Sequence, residues 1–199
     1  MTTKKHDSNL ILTKTQVAER QLNTAVDLFF KSGDPVSVHT LTSAVHEILE
    51  VLTRGDRGFE IFLEASCIRP EKKSEVIDLF KKAQNFFKHA GKEASKAIEF
   101  VPFQTEIMLF DCVRMYMRLT NQKSPEVHVY QLWFIMRYPQ YFNYTRNPKD
   151  PLFKMYATAR ASGLDPEKNL KAFGDSIPAL KQSGMFPVML PKGHKAQVL

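Results

Sequence analysis

The sequence predicts an all-α fold: an antiparallel helical bundle followed by a helical C-terminal extension. The first observation behind this is repeated helix-start chemistry, in which a residue with a capping side chain directly precedes proline. The cap oxygen accepts an otherwise unpaired backbone N–H, and proline has a φ that suits the first helical position. Such pairs occur at Asp34-Pro35, Ser124-Pro125, Asp150-Pro151 and Asp165-Pro166. Four of them in one chain are difficult to reconcile with strand boundaries.

The second observation is apolar spacing of three and four residues, which is typical of helices with one buried face. It predicts a first helix near residues 14–31 and a second near 35–53. The inward stripes would be Ala18, Leu22, Ala25, Val26 and Phe29, and then Val38, Leu41, Val45, Ile48 and Leu52. Because the connection at Gly33 is short, we expect the two helices to form an antiparallel hairpin.

A third long helix is predicted from Pro70 to about Ala90. Its first turns carry acidic residues and its last turns carry lysines, which is the order that the helix dipole favours. Its inward stripe would be Val76, Phe80, Ala83, Phe87 and Ala90. A short helix is predicted at 59–65, between Gly58 and this third helix.

Two more helices, at 103–120 and 125–137, would complete the bundle. Beyond Pro139 prolines become frequent and predict shorter helices. The shorter helices are predicted at 151–161, 166–173 and 176–183. The predicted organisation is a flexible N-terminus at 1–12, a bundle at 13–138, an extension packed on it at 139–190 and a flexible tail at 191–199.

Composition limits the classes of protein that fit. The chain has 199 residues, of which 43% are hydrophobic and 25% charged, and this predicts one globular domain. Cys67 and Cys112 are far apart and fit neither a disulfide framework nor a metal site. Glycine-rich phosphate loops and the GxSxG and HExxH motifs are absent from the sequence. We therefore expect no cofactor and no bound metal.

Membrane insertion and secretion are also not expected. The longest apolar stretches, such as residues 132–136, are much shorter than the roughly 20 residues of a membrane span. The polar N-terminal residues 2–9 lack the apolar region of a secretory signal, which predicts a cytoplasmic protein. The net charge of +7 is compatible with an acidic partner, with RNA as the leading candidate, or with a simple role in solubility.

The segment Lys81-Lys82-Ala83-Gln84-Asn85-Phe86-Phe87-Lys88-His89 is the candidate functional motif. On a helix, Asn85 and His89 are one turn apart and share a face that points away from the inward stripe, with Gln84 on the adjoining flank. An imidazole, amides and ammonium groups at one helix end could hold a phosphodiester. The candidate cations here are Lys81, Lys82, Lys88 and Lys92.

The segment from Gln84 to His89 resembles the motif of HEPN domains, in which an arginine is followed after four to six residues by a histidine. HEPN domains are helical bundles that commonly dimerise, and many are metal-independent ribonucleases. In this sequence Gln84 stands in place of the arginine, and Lys82 has the longest spacing from His89 that the motif permits. Lysine lacks the bidentate fork of arginine. Residues 16–89 also resemble a family of bacterial proteins to which no activity is assigned.

The resemblance implies a homodimer that binds or cleaves RNA through this helix. His89 would be the acid–base group, Asn85 and Gln84 would orient the phosphate, and Lys82 or Lys88 would stabilise the charge. A different interpretation is a non-catalytic module whose basic helix binds an acidic protein. In the simplest interpretation, the dipole favours a histidine at this helix end and the lysines are merely solvated.

His39 and His46 are seven residues apart and lie on nearly one face of the second helix. They could line a pocket with Glu47 or Arg20, or be hydrogen-bonded at the edge of the core. Two turns separate them by about 10.5 Å, which is too far to share one metal ion.

An aromatic stretch between residues 130 and 144 predicts either core or a subunit interface, and a dimer through this face is the functional form of that prediction. It comprises Tyr130, Trp133, Phe134, Tyr138, Tyr141, Phe142 and Tyr144.

Overall fold

A computed structural model describes residues 9–56, 70–89, 95–121, 124–142, 148–149 and 151–183. In these ranges the chain forms seven α-helices, which confirms the all-α prediction. They are α1 (Lys14–Phe30), α2 (Pro35–Thr53), α3 (Pro70–Lys88), α4 (Phe103–Thr120), α5 (Pro125–Arg137), α6 (Pro151–Ala161) and α7 (Leu170–Ser183). None of these helices combines the length and the apolar character that crossing a bilayer requires.

Several predictions fall wholly or partly outside the described residues. The short helix at 59–65 and the tail at 191–199 lie there entirely. The predicted flexible N-terminus at 1–12 is described only from residue 9, where the chain has no regular structure and Ile11 is 96% exposed.

Capping side chains fix the starts of three helices. At α1 a capping box operates: the Gln16 N–H donates to Thr13 Oγ1, and the Thr13 N–H donates to the Gln16 side chain. At α2 the Ser37 N–H donates to the carboxylate of Asp34 at 2.8 Å. Ser124 caps α5 in the same way. The first residues of α2, α5 and α6 are the prolines that the sequence predicts, but the cap before α6, Asp150, lies outside the described residues.

The main core lies between α1, α2, α4 and α5. The first two helices are joined by residues 31–34 and pack as an antiparallel pair, and α4 packs against α2. The turn between α1 and α2 closes because the Gly33 N–H donates to the carbonyl oxygen of Leu28 at 2.8 Å. Fully buried residues from four helices meet in this core; they include Leu22, Val26, Val45, Leu49, Leu109, Val113, Val127 and Tyr130.

The third helix packs on the outside of this bundle, against α2. Its buried residue Phe80 forms a small separate apolar cluster with Met108 of α4, and Ile77 and Ile107 pack against the pair. One flank of α3 therefore rests on the bundle, and the opposite flank lies in solvent. The predicted end of this helix at Ala90 lies outside the described residues, and its last helical residue is Lys88.

The C-terminal helices pack on the bundle. Helix α7 contacts both α5 and α1, and α6 contacts α5. The prediction of two separate helices at 166–173 and 176–183 is wrong, because α7 is one helix with Pro178 inside it. Its buried residues Phe173 and Ile177 form one continuous apolar stripe, and this packing offsets the hydrogen bond that proline cannot donate. Asp165 caps a turn instead of a helix, accepting hydrogen bonds from the N–H groups of Glu167 and Lys168.

The aromatic stretch belongs largely to the core of its own chain. Trp133 and Phe134 are 3% and 4% exposed, and Phe134 stacks on Phe110 with ring centroids 4.2 Å apart. Only Tyr141 is exposed among the aromatic residues of this stretch that the structure describes. These buried rings are not accessible to a second subunit, so the dimer face predicted from them is wrong. Tyr144 lies outside the described residues.

Close packing of α7 on α1 gives a stability prediction at Gly174. A Cβ atom at this position would lie 2.7 Å from Phe30 Cβ, so one of the two helices would have to shift. Overpacking of this kind costs about 1–3 kcal/mol, while alanine gains about 1 kcal/mol over glycine in helix propensity. We expect Gly174→Ala to lower the free energy of unfolding in urea by up to about 2 kcal/mol. The exposed neighbour provides the control: Asp175→Ala should cause no comparable loss.

Candidate nucleic-acid interface

The last two turns of α3 are positioned by apolar contacts on one side. Ala83 is 2% exposed and points into the bundle. Phe87 packs edge-on against the rings of His39 and Phe100, with centroids 5.5 and 5.2 Å away. These contacts fix the rotation of the helix about its axis. They thereby decide which of the polar side chains between 81 and 89 reach solvent.

Four of the predicted site residues lie exposed on the outer face of α3: Lys81, Lys82, Asn85 and His89. We call these four side chains the α3 surface. At 100° per residue, Asn85 is about 40° and Lys82 about 20° from His89 around the helix axis. The backbone N–H of His89 donates to the carbonyl oxygen of Asn85 at 3.0 Å, which continues the helical pattern to the histidine. The exposed Asp78 adds one carboxylate a turn earlier.

Gln84 lies elsewhere. It is 8% exposed, faces α2, and donates a hydrogen bond from Nε2 to Oε1 of Glu47. Lys88 approaches the same carboxylate oxygen, with Nζ 3.1 Å from it. The structure thus groups Gln84 and Lys88 around Glu47 and groups the other four residues in solvent. Lys92 lies outside the described residues.

The α3 surface offers an imidazole, an amide and two ammonium groups without a guanidinium. Asn85 can donate to a phosphate oxygen, and the lysines supply positive charge without bidentate geometry. The imidazole of His89 is exposed and accessible for proton transfer. This set of groups suits contact with a phosphate backbone, in which each phosphate is held by one or two donors.

His39, one of the two candidate pocket residues, is fully buried between α2, α3 and α4. Its Nδ1 lies 2.9 Å from Thr105 Oγ1 in a hydrogen bond, and its Nε2 has no hydrogen-bond partner among the described residues. Burial, assisted by the positive charge of Lys88, lowers the pKa of His39 from 6.5 to about 4. The ring is therefore neutral at physiological pH.

His46, the second candidate pocket residue, belongs to a buried polar cluster in the interface of α2 and α4. Its Nε2 lies 3.2 Å from the carboxylate of Asp111, whose side chain is 1% exposed. Arg114 approaches the other oxygen of that carboxylate at 3.3 Å. A buried carboxylate needs such compensation, because removing it from water is costly. The interpretation of His46 as hydrogen-bonded near the core fits these contacts.

A cleft of about 730 Å³ lies between α1, α5 and α7, and neither His39 nor His46 lines it. Its rim is formed by charged residues that pair within the chain, such as Lys31 with Asp27 at 2.8 Å and Lys181 with Glu126. Glu47, which the sequence places beside the histidines, contacts α3 instead. The cleft and the two histidines are therefore separate features.

Comparison of the chain with protein-family models, curated proteins and solved structures gave no significant match.

Sequence reasoning missed the role of Glu47 and the partners of both histidines. The sequence places Glu47 beside the two histidines on α2, and its contact with α3 depends on how the two helices cross. Thr105 and Asp111 carried a weak signal, because each is a polar residue on the inward side of α4. A polar residue at a buried helix position indicates that a partner faces it.

The buried neutral ring of His39 predicts a pH-dependent stability. As pH falls through 6.5, the unfolded chain binds a proton at this residue while the folded chain does not do so until about pH 4. The contribution of His39 to the free energy of unfolding is therefore complete above pH 6.5 and is lost as the pH falls from 6.5 to 4. At about 1.4 kcal/mol per pH unit, this window corresponds to about 3 kcal/mol.

We expect His39→Asn to remove this pH-dependent part of the free energy of unfolding. The amide of the asparagine can still form a hydrogen bond with Thr105. The measurement is urea unfolding of both proteins at pH 7, 5.5 and 4. A variant with the same pH dependence as the wild type would show that His39 does not titrate in this way.

Proposed function

We propose that this protein binds single-stranded RNA through the α3 surface. The observation that carries the proposal is that Lys82, Asn85 and His89 project into solvent from one face, with Lys81 at its edge. Phosphate contacts supply most of the affinity of sequence-independent binding, and ammonium and amide donors provide them. The net charge of +7 favours the approach of a polyanion to the protein.

A further part of the proposal follows from the resemblance to HEPN domains. The functional form would be a homodimer in which the α3 helices of two protomers face one another, so that one RNA contacts two surfaces. The proposal also includes the cytoplasmic location that the polar N-terminal residues 2–9 predict.

The first test removes the two lysines. Lys81→Ala/Lys82→Ala should weaken binding of a labelled single-stranded oligouridylate, measured by fluorescence anisotropy over a series of salt concentrations. The plot of log K against log salt should become shallower by about 1.4, because each phosphate that a lysine neutralises on a single strand contributes about 0.7 to the slope. The control, Lys168→Ala/Lys171→Ala, removes the same charge from exposed positions outside α3.

Equal slopes for the two double variants would contradict binding through the α3 surface. A salt-insensitive complex with an acidic protein, combined with no RNA binding, would favour the interaction module instead.

A second candidate function is RNA cleavage, and the exposed imidazole of His89 beside Asn85 and Lys82 favours it. His89 would move the proton, Asn85 would orient the phosphate and Lys82 would offset negative charge, without a metal ion. Gln84 is turned toward Glu47 and would act from within the protein by holding the helix.

The cleavage test compares the wild type with His89→Ala on single-stranded RNA in the presence of EDTA. Loss of an acid–base group typically lowers the rate by about 10²–10⁴. We expect this loss in the rate with a much smaller loss of RNA affinity, because Lys81 and Lys82 keep their positive charge in the variant. RNA left intact by both proteins would reject cleavage and leave binding as the function.

A further inference from the structure

The carboxylate of Glu47 holds two α3 side chains that the sequence assigns to phosphate. Its Oε1 accepts a hydrogen bond from Gln84 and lies 3.1 Å from Nζ of Lys88. A carboxylate and a phosphate oxygen compete for the same donors, since both are anionic acceptors. Lys88 can therefore meet a ligand phosphate only in exchange for its contact with Glu47.

We propose that Glu47 is an internal competitor of phosphate that lowers the affinity of the α3 surface for RNA. Lys88 contributes to binding only after it leaves Glu47. This inference rests on the proposed RNA binding and adds a residue of α2 that sets its strength.

Exposure decides which of the two contacts can open. The side chain of Glu47 is 59% exposed and that of Lys88 is 26% exposed, so water and salt reach their ion pair from the side of Glu47 and weaken it. Opening such a partly exposed pair corresponds to a change of about two- to five-fold in an equilibrium constant. Gln84 is 8% exposed and stays anchored, because a buried amide without a partner is costly.

Lys88 is also close enough to the α3 surface to contact a phosphate bound there. It lies about 60° from Asn85 around the helix axis, and its long flexible chain can cover that angle once Nζ is released. Released Lys88 would add a third cation to Lys81 and Lys82. The α3 surface could then hold one more phosphate of the bound strand.

The test neutralises Glu47 and keeps its size. Glu47→Gln should tighten binding of the oligouridylate about two- to five-fold at low salt and steepen the salt dependence by about 0.7. Asp27→Asn is the matched control: it changes net charge equally and frees Lys31, which pairs with Asp27 on α1. Affinity increases of equal size in the two variants would overturn the proposal.

Combining Lys88→Ala with Glu47→Gln distinguishes release of Lys88 from a change in folding as the cause of tighter binding. The proposal predicts that Lys88→Ala costs little affinity in the wild type and abolishes the increase in the Glu47→Gln protein. Equal cost in both backgrounds would overturn it, whatever Glu47→Gln does to stability. Failure of the proposed function would look different, because Lys81→Ala/Lys82→Ala would then leave RNA binding unchanged.

Discussion

Burial of α2 on two sides is the constraint on which the position of every candidate residue depends. This helix packs against both α1 and α4, and its residues Val45 and Leu49 are fully buried. On the side facing α4, His39 and His46 contact Thr105 and Asp111. Successive residues of a helix are 100° apart, so the burial of these two sides also fixes the direction of Glu47. Glu47 is directed outward to where α3 lies, and α3 is oriented by the contacts that α2 offers.

The buried polar residues between α2 and α4 show how the cost of burying a charge is either compensated or avoided. Asp111 is almost completely buried and keeps its position with His46 and Arg114 around it. For His39 burial dominates. Thr105 is its only hydrogen-bond partner among the residues that the structure describes, and the nearby charge of Lys88 has the same sign as a protonated ring. The two histidines share one helix face, as the sequence predicts, yet their surroundings give them different chemistry.

Local chemistry made the fold largely predictable, whereas contacts between helices limited what could be said of the site. Proline at the first helical position gave the starts of α2, α5 and α6, and apolar spacing gave most of the inward faces of α1 and α2. The prediction for Leu52 is wrong, because this last residue of the α2 stripe is 37% exposed near the end of the helix. The same spacing correctly placed Asn85 and His89 in solvent. It left Gln84 on a flank, and only the presence of Glu47 on the neighbouring helix decides that this flank is buried.

The spacing of the motif determines which cation can act with His89 in one protomer. Four intervening residues place position 84 about 140° from His89, toward the bundle, whereas six place Lys82 about 20° away. An arginine at position 84 would therefore meet the carboxylate of Glu47 before it met a phosphate beside the histidine. Lys82 shares the histidine's face but offers a point charge without a planar fork. A single protomer is thus better suited to holding a mobile phosphate backbone than to gripping one phosphate rigidly for cleavage.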